Sequence, residues 1–395
     1  MESLGYLACD ADNHYYEPVD AFTRHMDPAM AKRAIQWAHI DGRTKLLVGG
    51  QVNNFIPNPT FDPIARPGSL ADYFKGLERS GKDVTTLFGT LDPIAEHPEY
   101  RNRDARLEVM DAQGLESCWM FPTLGVGMEQ SLTDDPQAVI ATFAAFNRWL
   151  DEDWGFAYQD RLFAAPYLTL VDLDAAIAEL EWSLDRGARV VLVRVAPVPT
   201  AEGTMSPFLE AFDPFWARVA EAGITVAWHG GDTGYAHHTR AWEPGAVGKA
   251  FFTSPLHKVI TSNRAITETM AAAVCHRVFE RHPRLRFATI ENGSAWVRTL
   301  VRKLDLANIQ NPGWFAERPS DIFRRHVWVA PFWEDDPAEA VELMGADRVL
   351  FGSDWPHAEG IPEPTAFAEG LAELSDADVR RVMRDNLVEL TSPLR

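Results

Sequence analysis

The stretch that decides the fold is residues 207–231, "PFLEAFDPFWARVAEAGITVAWHGG". Its first part, 207–223, has apolar residues at helical spacing and stops at Gly223, as amphipathic helices commonly do. Its second part, "ITVAWHGG" at 224–231, is almost continuously apolar and ends around His229, which is typical of a parallel strand covered on both faces. A helix followed at once by such a strand indicates one unit of an α/β fold.

The same alternation continues in both directions along the chain. Helical segments such as 172–187 and 266–283 separate most of the apolar runs. Eight such units in 395 residues favour a single-domain (β/α)₈ TIM barrel over 1–395, with a doubly wound open sheet as the alternative. The runs predicted as strands are 6–12, 115–123, 161–170, 188–197, 224–231, 285–293, 327–335 and 349–351.

One connection, residues 15–105, is far longer than a strand-to-helix loop needs to be. Within this insertion, "TKLLVGGQVNNF" at 44–55 predicts a small β-hairpin, and "NPTFDPIARPGS" at 58–69 is irregular and rich in proline. We expect the insertion between the first two strands to lie over the mouth of the barrel, as a lid or as the contact of a homodimer.

Composition excludes several classes of partner. A net charge of −20 argues against nucleic acid or an anionic membrane surface and favours a small-molecule substrate. No apolar run approaches the roughly 20 residues that a transmembrane helix needs, and the N-terminus lacks the basic region of a signal peptide. Cys9, Cys118 and Cys275 are odd in number and widely spaced, which predicts reduced thiols in a cytoplasmic protein.

Polar side chains stand at the ends of the predicted strands, where a barrel carries its chemistry. In the first strand, Asp10, Asp12 and His14 alternate with other residues, so all three should point to one face. The spacing leaves open whether Asp10 or Asp12 is the carboxylate that acts there. The complete set of strand-end side chains is Asp12, His14, Thr123, Arg194, His229, Glu291, Glu334 and Asp354.

Two imidazoles and two carboxylates from the first, fifth and eighth strands predict a divalent metal site with the ligands Asp12, His14, His229 and Asp354. Mixed nitrogen and oxygen ligation suits Zn²⁺ with an open position for water. Taken alone, Asp354 before Trp-Pro would be a turn or helix cap, and His229 a strand-end histidine bonded to backbone. Their joint occurrence at three strand ends favours the metal.

Five segments resemble the motif set of the amidohydrolase-related family, which includes the aminocarboxymuconate-semialdehyde decarboxylase-like enzymes of the metal-dependent hydrolase superfamily. The resemblance runs in order over essentially the whole chain. It implies a (β/α)₈ barrel with a single divalent ion, usually zinc or manganese. The segments are "DADNHYYEP" at 10–18, "AWHGGDTGY" at 227–235, "FERHPRLRFATIENGSAW" at 279–296, "RPSDIFRRHVWV" at 318–329 and "FGSDWPHAEG" at 351–360.

The resemblance places the same four ligands, with Asp12 standing where the family more commonly has histidine or glutamate. A second departure is Glu291, which occupies the position of a histidine that serves as acid or base in the decarboxylases of the family. Glu291 is therefore expected either to move protons or to hold a hydrogen-bond network beside the metal. Its negative charge near Asp354 would repel a substrate carboxylate.

Other residues are candidates for substrate contact. Arg194 is expected to pair a substrate carboxylate through a bidentate bond, with an ion pair to a neighbouring Asp or Glu as the alternative. Several aromatic residues crowd the strand ends and predict an aromatic-walled pocket in part; these are Trp228, Tyr235, Trp242, Trp296, Trp333 and Trp355. The candidates for direct contact are Arg194, Trp296, His237, His238 and His357.

Three functions remain open at this point. In the first, a metal-dependent hydrolase, metal-bound water deprotonated by Asp354 attacks an amide, lactone or related carbonyl polarised by the ion. The second is a non-oxidative decarboxylase of an aromatic or unsaturated acid. Because Glu291 replaces a histidine, hydrolysis is favoured, with His229, Asp354 and Glu291 as the catalytic residues. The third, a barrel without catalysis that only binds, is disfavoured by the complete ligand set.

Overall fold

The computed structural model describes residues 4–200, 203–246, 250, 254–332 and 335–394. Its strands are β1 Ala8–Tyr15, β2 Ile35–Ile40, β3 Arg43–Val48, β4 Gln51–Val52, β5 Ile64–Ala65, β6 Leu91–Asp92, β7 Leu115–Pro122, β8 Leu162–Ala164, β9 Tyr167–Leu168, β10 Val190–Arg194, β11 Val198–Thr200, β12 Gly203–Met205, β13 Thr225–His229, β14 Arg286–Ile290 and β15 Val327–Val329. Its helices are α1 Pro28–Ala31, α2 Ala71–Phe74, α3 Val84–Leu87, α4 Arg103–Gln113, α5 Pro136–Asp153, α6 Leu173–Leu184, α7 Asp213–Ala222, α8 Ala236–Arg240, α9 Pro255–Thr261, α10 Arg264–Cys275, α11 Val278–Arg281, α12 Trp296–Gln310, α13 Pro319–His326, α14 Pro337–Met344, α15 Asp376–Arg380 and α16 Asn386–Thr391.

Parallel strands form the wall of a barrel. β1, β7 and β8 make one sheet, and β9, β10, β13, β14 and β15 make a second. The segment 349–355 joins the two sheets, because Leu350 N donates to Val329 O at 2.9 Å and Ala11 N donates to Phe351 O at 2.8 Å. The predicted (β/α)₈ barrel is therefore confirmed over the open sheet, since the eighth segment bonds to both of its neighbours.

The third predicted strand, 161–170, is divided in two by Pro166. Proline has no N–H to donate to a ladder. β8 pairs with β7 on one side of the break, and β9 pairs with β10 on the other. The eighth segment forms single bridges rather than a regular ladder, and β15 ends at Val329, earlier than predicted.

The insertion contains the predicted hairpin and one strand more. β3 and β4 are joined by Gly49 and Gly50, whose φ values of 58° and 75° are those that a two-residue hairpin turn requires. β2 pairs antiparallel with β3 and extends the hairpin to three strands.

The insertion is hydrogen-bonded to the mouth of the barrel. Gly68 N donates to His357 O at 3.1 Å and Leu70 N donates to Ala358 O at 2.7 Å, both on the loop that follows the eighth strand. Leu70 and Ala358 also belong to a small apolar cluster that is separate from the main core. The insertion therefore covers the end of the barrel where the strand-end side chains lie.

The helices pack around the barrel through one continuous hydrophobic core. α7 ends at Gly223 with φ 65°, in the left-handed conformation that stops a helix and lets β13 begin at once. Cys9 and Cys118 are buried and Cys275 is half-buried, and all three are unpaired. In the described part of the chain, no helix has the length and apolar character needed to cross a bilayer.

Candidate metal centre

Side chains from four strand ends meet at the mouth of the barrel. His14 Nε2 lies 3.2 Å from Asp12 Oδ1, 3.2 Å from Asp354 Oδ1 and 3.6 Å from Glu291 Oε2. His229 Nε2 lies 3.4 Å from Asp12 Oδ1 and 3.1 Å from Glu291 Oε2. The structure thus brings Asp12, His14 and His229 into one group of ligand-type atoms with Glu291. Asp354 belongs to a second, overlapping group with His14, Glu291 and His357.

Several of these atoms are buried without a hydrogen bond to any described residue: Asp12 Oδ1, both ring nitrogens of His14, His229 Nε2 and Asp354 Oδ2. Leaving a buried polar atom unsatisfied costs about 1–3 kcal/mol. Convergent unpartnered nitrogen and oxygen atoms are the donor set of a divalent cation. The residues present therefore fit a metal ion.

Asp10 has a different environment from Asp12. Its Oδ1 accepts from Asp12 N and Ser353 N, both at 3.0 Å, and its Oδ2 accepts from Asn13 Nδ2 at 3.0 Å and Ser353 Oγ at 2.5 Å. The expectation that Asp10, Asp12 and His14 share one face is wrong, because the register of β1 against β7 shifts between Asp10 and Asn13. Asp10 holds the eighth segment against β1, and Asp12 keeps an oxygen free.

His229 is oriented by the backbone that follows it. Its Nδ1 lies 2.8 Å from Gly230 O, to which it donates. In the neutral ring this leaves Nε2 without a proton and facing Asp12 and Glu291. The ring also packs against Phe121, with centroids 4.7 Å apart.

A chain of hydrogen bonds holds Asp354. The Thr123 hydroxyl donates to Tyr15 O at 2.8 Å, so at 2.9 Å it accepts from His357 Nε2. His357 Nδ1 lies 2.6 Å from Asp354 Oδ1. Burial raises the pKa of Asp354 to about 7 and lowers the pKa of His357 to about 3.

Glu291 and Asp354 have unusual backbone conformations. Their φ values are 52° and 57°, in the left-handed region that residues with a side chain rarely adopt. Such strain persists where the surrounding structure imposes it, and it is concentrated at functional sites. In both residues the turn presents a carboxylate at the mouth of the barrel.

Glu291 differs from the other carboxylates in its access to solvent. Its side chain is 23% exposed, against 3% for Asp12 and 1% for Asp354. Burial and then the negative charge of Asp354 raise the pKa of Glu291 well above its ordinary value. This carboxyl group is therefore the one at the centre that combines a tendency to hold a proton with a route to solvent.

Gly352 is required by the close approach of β1. A Cβ added to Gly352 would lie 2.8 Å from the Cβ of Asp12, an atom that cannot rotate away. Gly352→Ala is therefore expected to displace Asp12, to weaken divalent-metal binding about 10- to 100-fold, and to cost about 1–3 kcal/mol of folding free energy. Metal titration and thermal unfolding measure the two effects.

Gly370→Ala is the matched control for that variant. The added Cβ would meet Pro337 Cγ at 2.7 Å, a comparable clash that does not involve Asp12. It is expected to lower stability while metal affinity stays unchanged. If Gly352→Ala bound metal as tightly as the unmodified protein, Asp12 would not be a ligand that this glycine positions.

Arg106 is a buried residue beside the site that the sequence analysis did not single out. It is fully buried and donates to Asn13 Oδ1 at 2.5 Å, to His14 O at 2.7 Å and to Glu99 O at 2.9 Å. Its guanidinium also lies over the Trp355 ring, 4.6 Å from the centroid. It therefore joins β1 to the loop after the eighth strand. An arginine in an amphipathic helix is normally predicted to be exposed, so the spacing of residues did not indicate that Arg106 is buried.

Arg194, at the end of β10, makes no ion pair within the described residues. It donates through Nη2 to Gln130 Oε1 and, at 3.1 Å, to Thr233 O. The described residues therefore do not form the alternative, an ion pair with a neighbouring Asp or Glu, because the hydrogen-bond partners of Arg194 there are uncharged. Arg194 and His229 are register partners in β10 and β13.

The structure does not bring the remaining candidates to the centre. His237 and His238 lie in α8 and face each other, with ring centroids 3.9 Å apart, outside both groups of ligand-type atoms. Trp296 is 3% exposed and packs against Phe323 in the core.

Two of the other tryptophans predicted to line the pocket are also placed elsewhere. Trp228 packs in the core, and Trp242 is 77% exposed to solvent. Trp333 and Glu334 lie outside the described residues.

Comparisons with known proteins agree with this architecture. A family model described as amidohydrolase matches residues 9–389. An amidohydrolase from Mycobacterium avium subsp. paratuberculosis is 45% identical in sequence, with a TM-score of 0.94 over 99% of this chain and 100% of that one.

Two decarboxylases are more distant matches. A gamma-resorcylate decarboxylase from a Rhizobium species is 25% identical over 297 residues, which are 71% of this chain and 87% of that protein. A dihydroxybenzoic acid decarboxylase from a Polaromonas species, solved with manganese and 2-nitroresorcinol, is 19% identical with a TM-score of 0.59, over 83% of this chain and 94% of that one.

These comparisons correct one sequence-based expectation. The matching curated relatives are named gamma-resorcylate decarboxylases, and the Polaromonas structure is named a dihydroxybenzoic acid decarboxylase. The preference for a metal-dependent hydrolase is therefore wrong, and the decarboxylase alternative is favoured. That preference depended on Glu291 in place of histidine, a substitution that leaves a group able to carry a proton.

Proposed function

The chain belongs to the amidohydrolase family, and on that premise we propose that it is a metal-dependent, non-oxidative decarboxylase of an aromatic carboxylic acid. The observation that carries the proposal is the set of buried ligand atoms without hydrogen-bond partners at the barrel mouth. The relative named gamma-resorcylate decarboxylase supports the choice of reaction.

The metal would be held by Asp12, His14, His229 and Asp354. When bound, a divalent ion would supply positive charge that holds the substrate oxygens beside the reacting ring. Mixed nitrogen and oxygen donors suit either Zn²⁺, which the sequence favours, or Mn²⁺, which the Polaromonas decarboxylase contains. We propose one ion of either kind for each chain. The homodimer expected from the sequence stays a prediction.

Glu291 is the proposed proton donor. The protonated form of its carboxyl group is favoured by burial and by the nearby charge of Asp354. Its Oε2 lies 3.1 Å from His229 Nε2, so a substrate ring held at the same cluster would be within its reach. Because its side chain is the most exposed carboxylate of the centre, solvent can return the proton after each turnover.

The reaction balances with these groups alone. The Glu291 proton adds to the ring carbon that bears the carboxylate. The bond from this carbon to the carboxylate carbon then breaks, its electron pair returns to the ring, and CO₂ leaves. Asp354 is kept in place by the chain of contacts through His357 to Thr123, and its Oδ1 stays 3.2 Å from His14 Nε2.

Metal analysis and a CO₂ assay test the proposal together. The purified protein is expected to contain about one Zn²⁺ or Mn²⁺ per chain, and to release CO₂ from aromatic acids in a panel that includes 2,6-dihydroxybenzoate. Chelation should abolish both, and re-addition of the metal should restore both. The His276→Gln variant, which alters a histidine bonded to Ser206 away from the cluster, should behave as the unmodified protein.

Two results would count against the function. If the protein binds neither ion with useful affinity, the proposed metal centre does not exist. A metal-loaded protein that releases no CO₂ from any aromatic acid of the panel would leave metal binding intact but contradict the decarboxylase assignment.

A further inference from the structure

Two arginines, Arg106 and Arg194, lie near the barrel mouth. They differ in how many of their guanidinium nitrogens donate hydrogen bonds. Each of the three guanidinium nitrogens of Arg106 donates a hydrogen bond within the protein. Arg194 uses Nη2 only, and its Nε and Nη1 are buried without a partner among the described residues. A buried guanidinium with unused donors is costly to maintain unless an anion completes it.

Arg194 is adjacent to the metal centre. It pairs in register with His229, so only one strand spacing, about 4.8 Å, separates their backbones. A small cavity of about 10 Å³ lies between them and is bounded by the loop 230–233. The amide oxygen of Gln130 accepts from Nη2 of Arg194, a position that a carboxylate oxygen could also occupy.

No acidic neighbour among the described residues forms an ion pair with Arg194. Glu129 directs its two oxygens to the hydroxyl groups of Tyr167 at 2.9 Å and Thr169 at 3.0 Å, rather than to the arginine. The Nε and Nη1 donors of Arg194 therefore remain available to an arriving anion.

The chemistry of decarboxylation restricts which anion this is. As CO₂ forms, negative charge leaves the departing carboxylate and moves into the ring. A strong cationic contact to that carboxylate would stabilise the reactant more than the transition state and would slow the reaction. A second carboxylate keeps its charge throughout, so a contact with Arg194 would strengthen binding without raising the barrier.

We propose that Arg194 binds a second, non-leaving carboxylate of the substrate, which places the substrate among aromatic dicarboxylic acids. The inference rests on the proposed function for the identity of the leaving group. The bound carboxylate takes the position of the Gln130 amide oxygen on Nη2 and also satisfies Nε or Nη1.

Binding of simple probes to the metal-loaded protein tests this assignment without turnover. Isothermal titration would compare benzoate with phthalate, isophthalate and terephthalate. The dicarboxylate of best geometry is expected to bind at least about tenfold more tightly than benzoate, as a charge-assisted hydrogen bond to a buried partner implies. Arg194→Gln should remove this preference and leave the benzoate affinity unchanged.

Two variants of Gln130 keep the test independent of any folding defect in Arg194→Gln. Gln130→Glu leaves the arginine in place but supplies a permanent carboxylate beside it, so it should also remove the preference. Gln130→Ala removes the amide without adding charge, so it should retain the preference. Metal content and thermal unfolding would verify that each variant is folded.

The inference is overturned if no dicarboxylate binds more tightly than benzoate. It is also overturned if Arg194→Gln weakens benzoate and dicarboxylate equally, because the arginine would then hold the carboxylate common to both. Failure of the function itself looks different. In that case the Arg194-dependent preference persists while no aromatic acid releases CO₂.

Discussion

Replacing His229 by alanine is expected to abolish metal binding and to lower kcat for CO₂ release by at least about 10³-fold. The imidazole Nε2 is buried, unpartnered and close to both Asp12 and Glu291, so the substitution removes a nitrogen donor from the cluster. A bound ion supplies several kcal/mol of charge stabilisation in a reaction of this kind, and its loss accounts for the size of the effect.

Thermal unfolding gives a readout of this variant that does not depend on activity. An ion that binds the folded state at 1,000 times its Kd stabilises it by about 4 kcal/mol. The unmodified protein should therefore melt at a higher temperature when Zn²⁺ or Mn²⁺ is added, whereas His229→Ala should not respond.

His282→Ala is the control, because this histidine pairs with Asp213 at 3.0 Å, outside the cluster. A His229→Ala protein that retained its ion and its activity would show that the centre is assembled from other ligands.

The strand ends were the most predictable part of the molecule. A parallel strand covered on both faces is an apolar run, so a charged residue at its end stands out against the pattern. His229 and Asp354 stand out in this way, and the rule that barrel chemistry lies at that end of the strands predicts that they meet His14.

The details within the strands were less predictable, because they depend on neighbours that are distant in sequence. Asp10 and Asp12 are equivalent by alternation, and only the register shift against β7 and the Ser353 hydrogen bonds distinguish them. The split at Pro166 had a sequence signal, since proline interrupts a ladder. The role of Arg106 had none, because its partners include the backbone carbonyls of His14 and Glu99.

The choice between hydrolysis and decarboxylation was beyond the reach of the ligand pattern. Both reactions use the same ion, the same histidines and the same carboxylates. They differ in whether the centre activates water or delivers a proton to carbon, and in the mechanism proposed above this depends on the protonation of Glu291. That property is set by burial and by the charge of Asp354, neither of which a sequence motif encodes.

Removing the proton of Glu291 should therefore have a large effect on the rate and little effect on the metal. Glu291→Gln keeps the size and the hydrogen-bonding character of the side chain but cannot transfer a proton. We expect kcat to fall about 10²- to 10⁴-fold, the usual contribution of general acid catalysis, with metal content and benzoate affinity retained. Steady-state CO₂ release and elemental analysis of the same preparation measure both quantities.

Glu291→His is the companion variant, because the resemblance places a histidine at this position. It restores a group that can carry a proton and should recover part of the activity that Glu291→Gln loses. The competing role for Glu291 is that of a metal ligand, since its Oε2 lies among the ligand-type atoms. If Glu291→Gln loses the ion together with the rate, Glu291 binds the metal and another group protonates the ring. If the ion stays and the rate falls, proton delivery is the function that this glutamate serves.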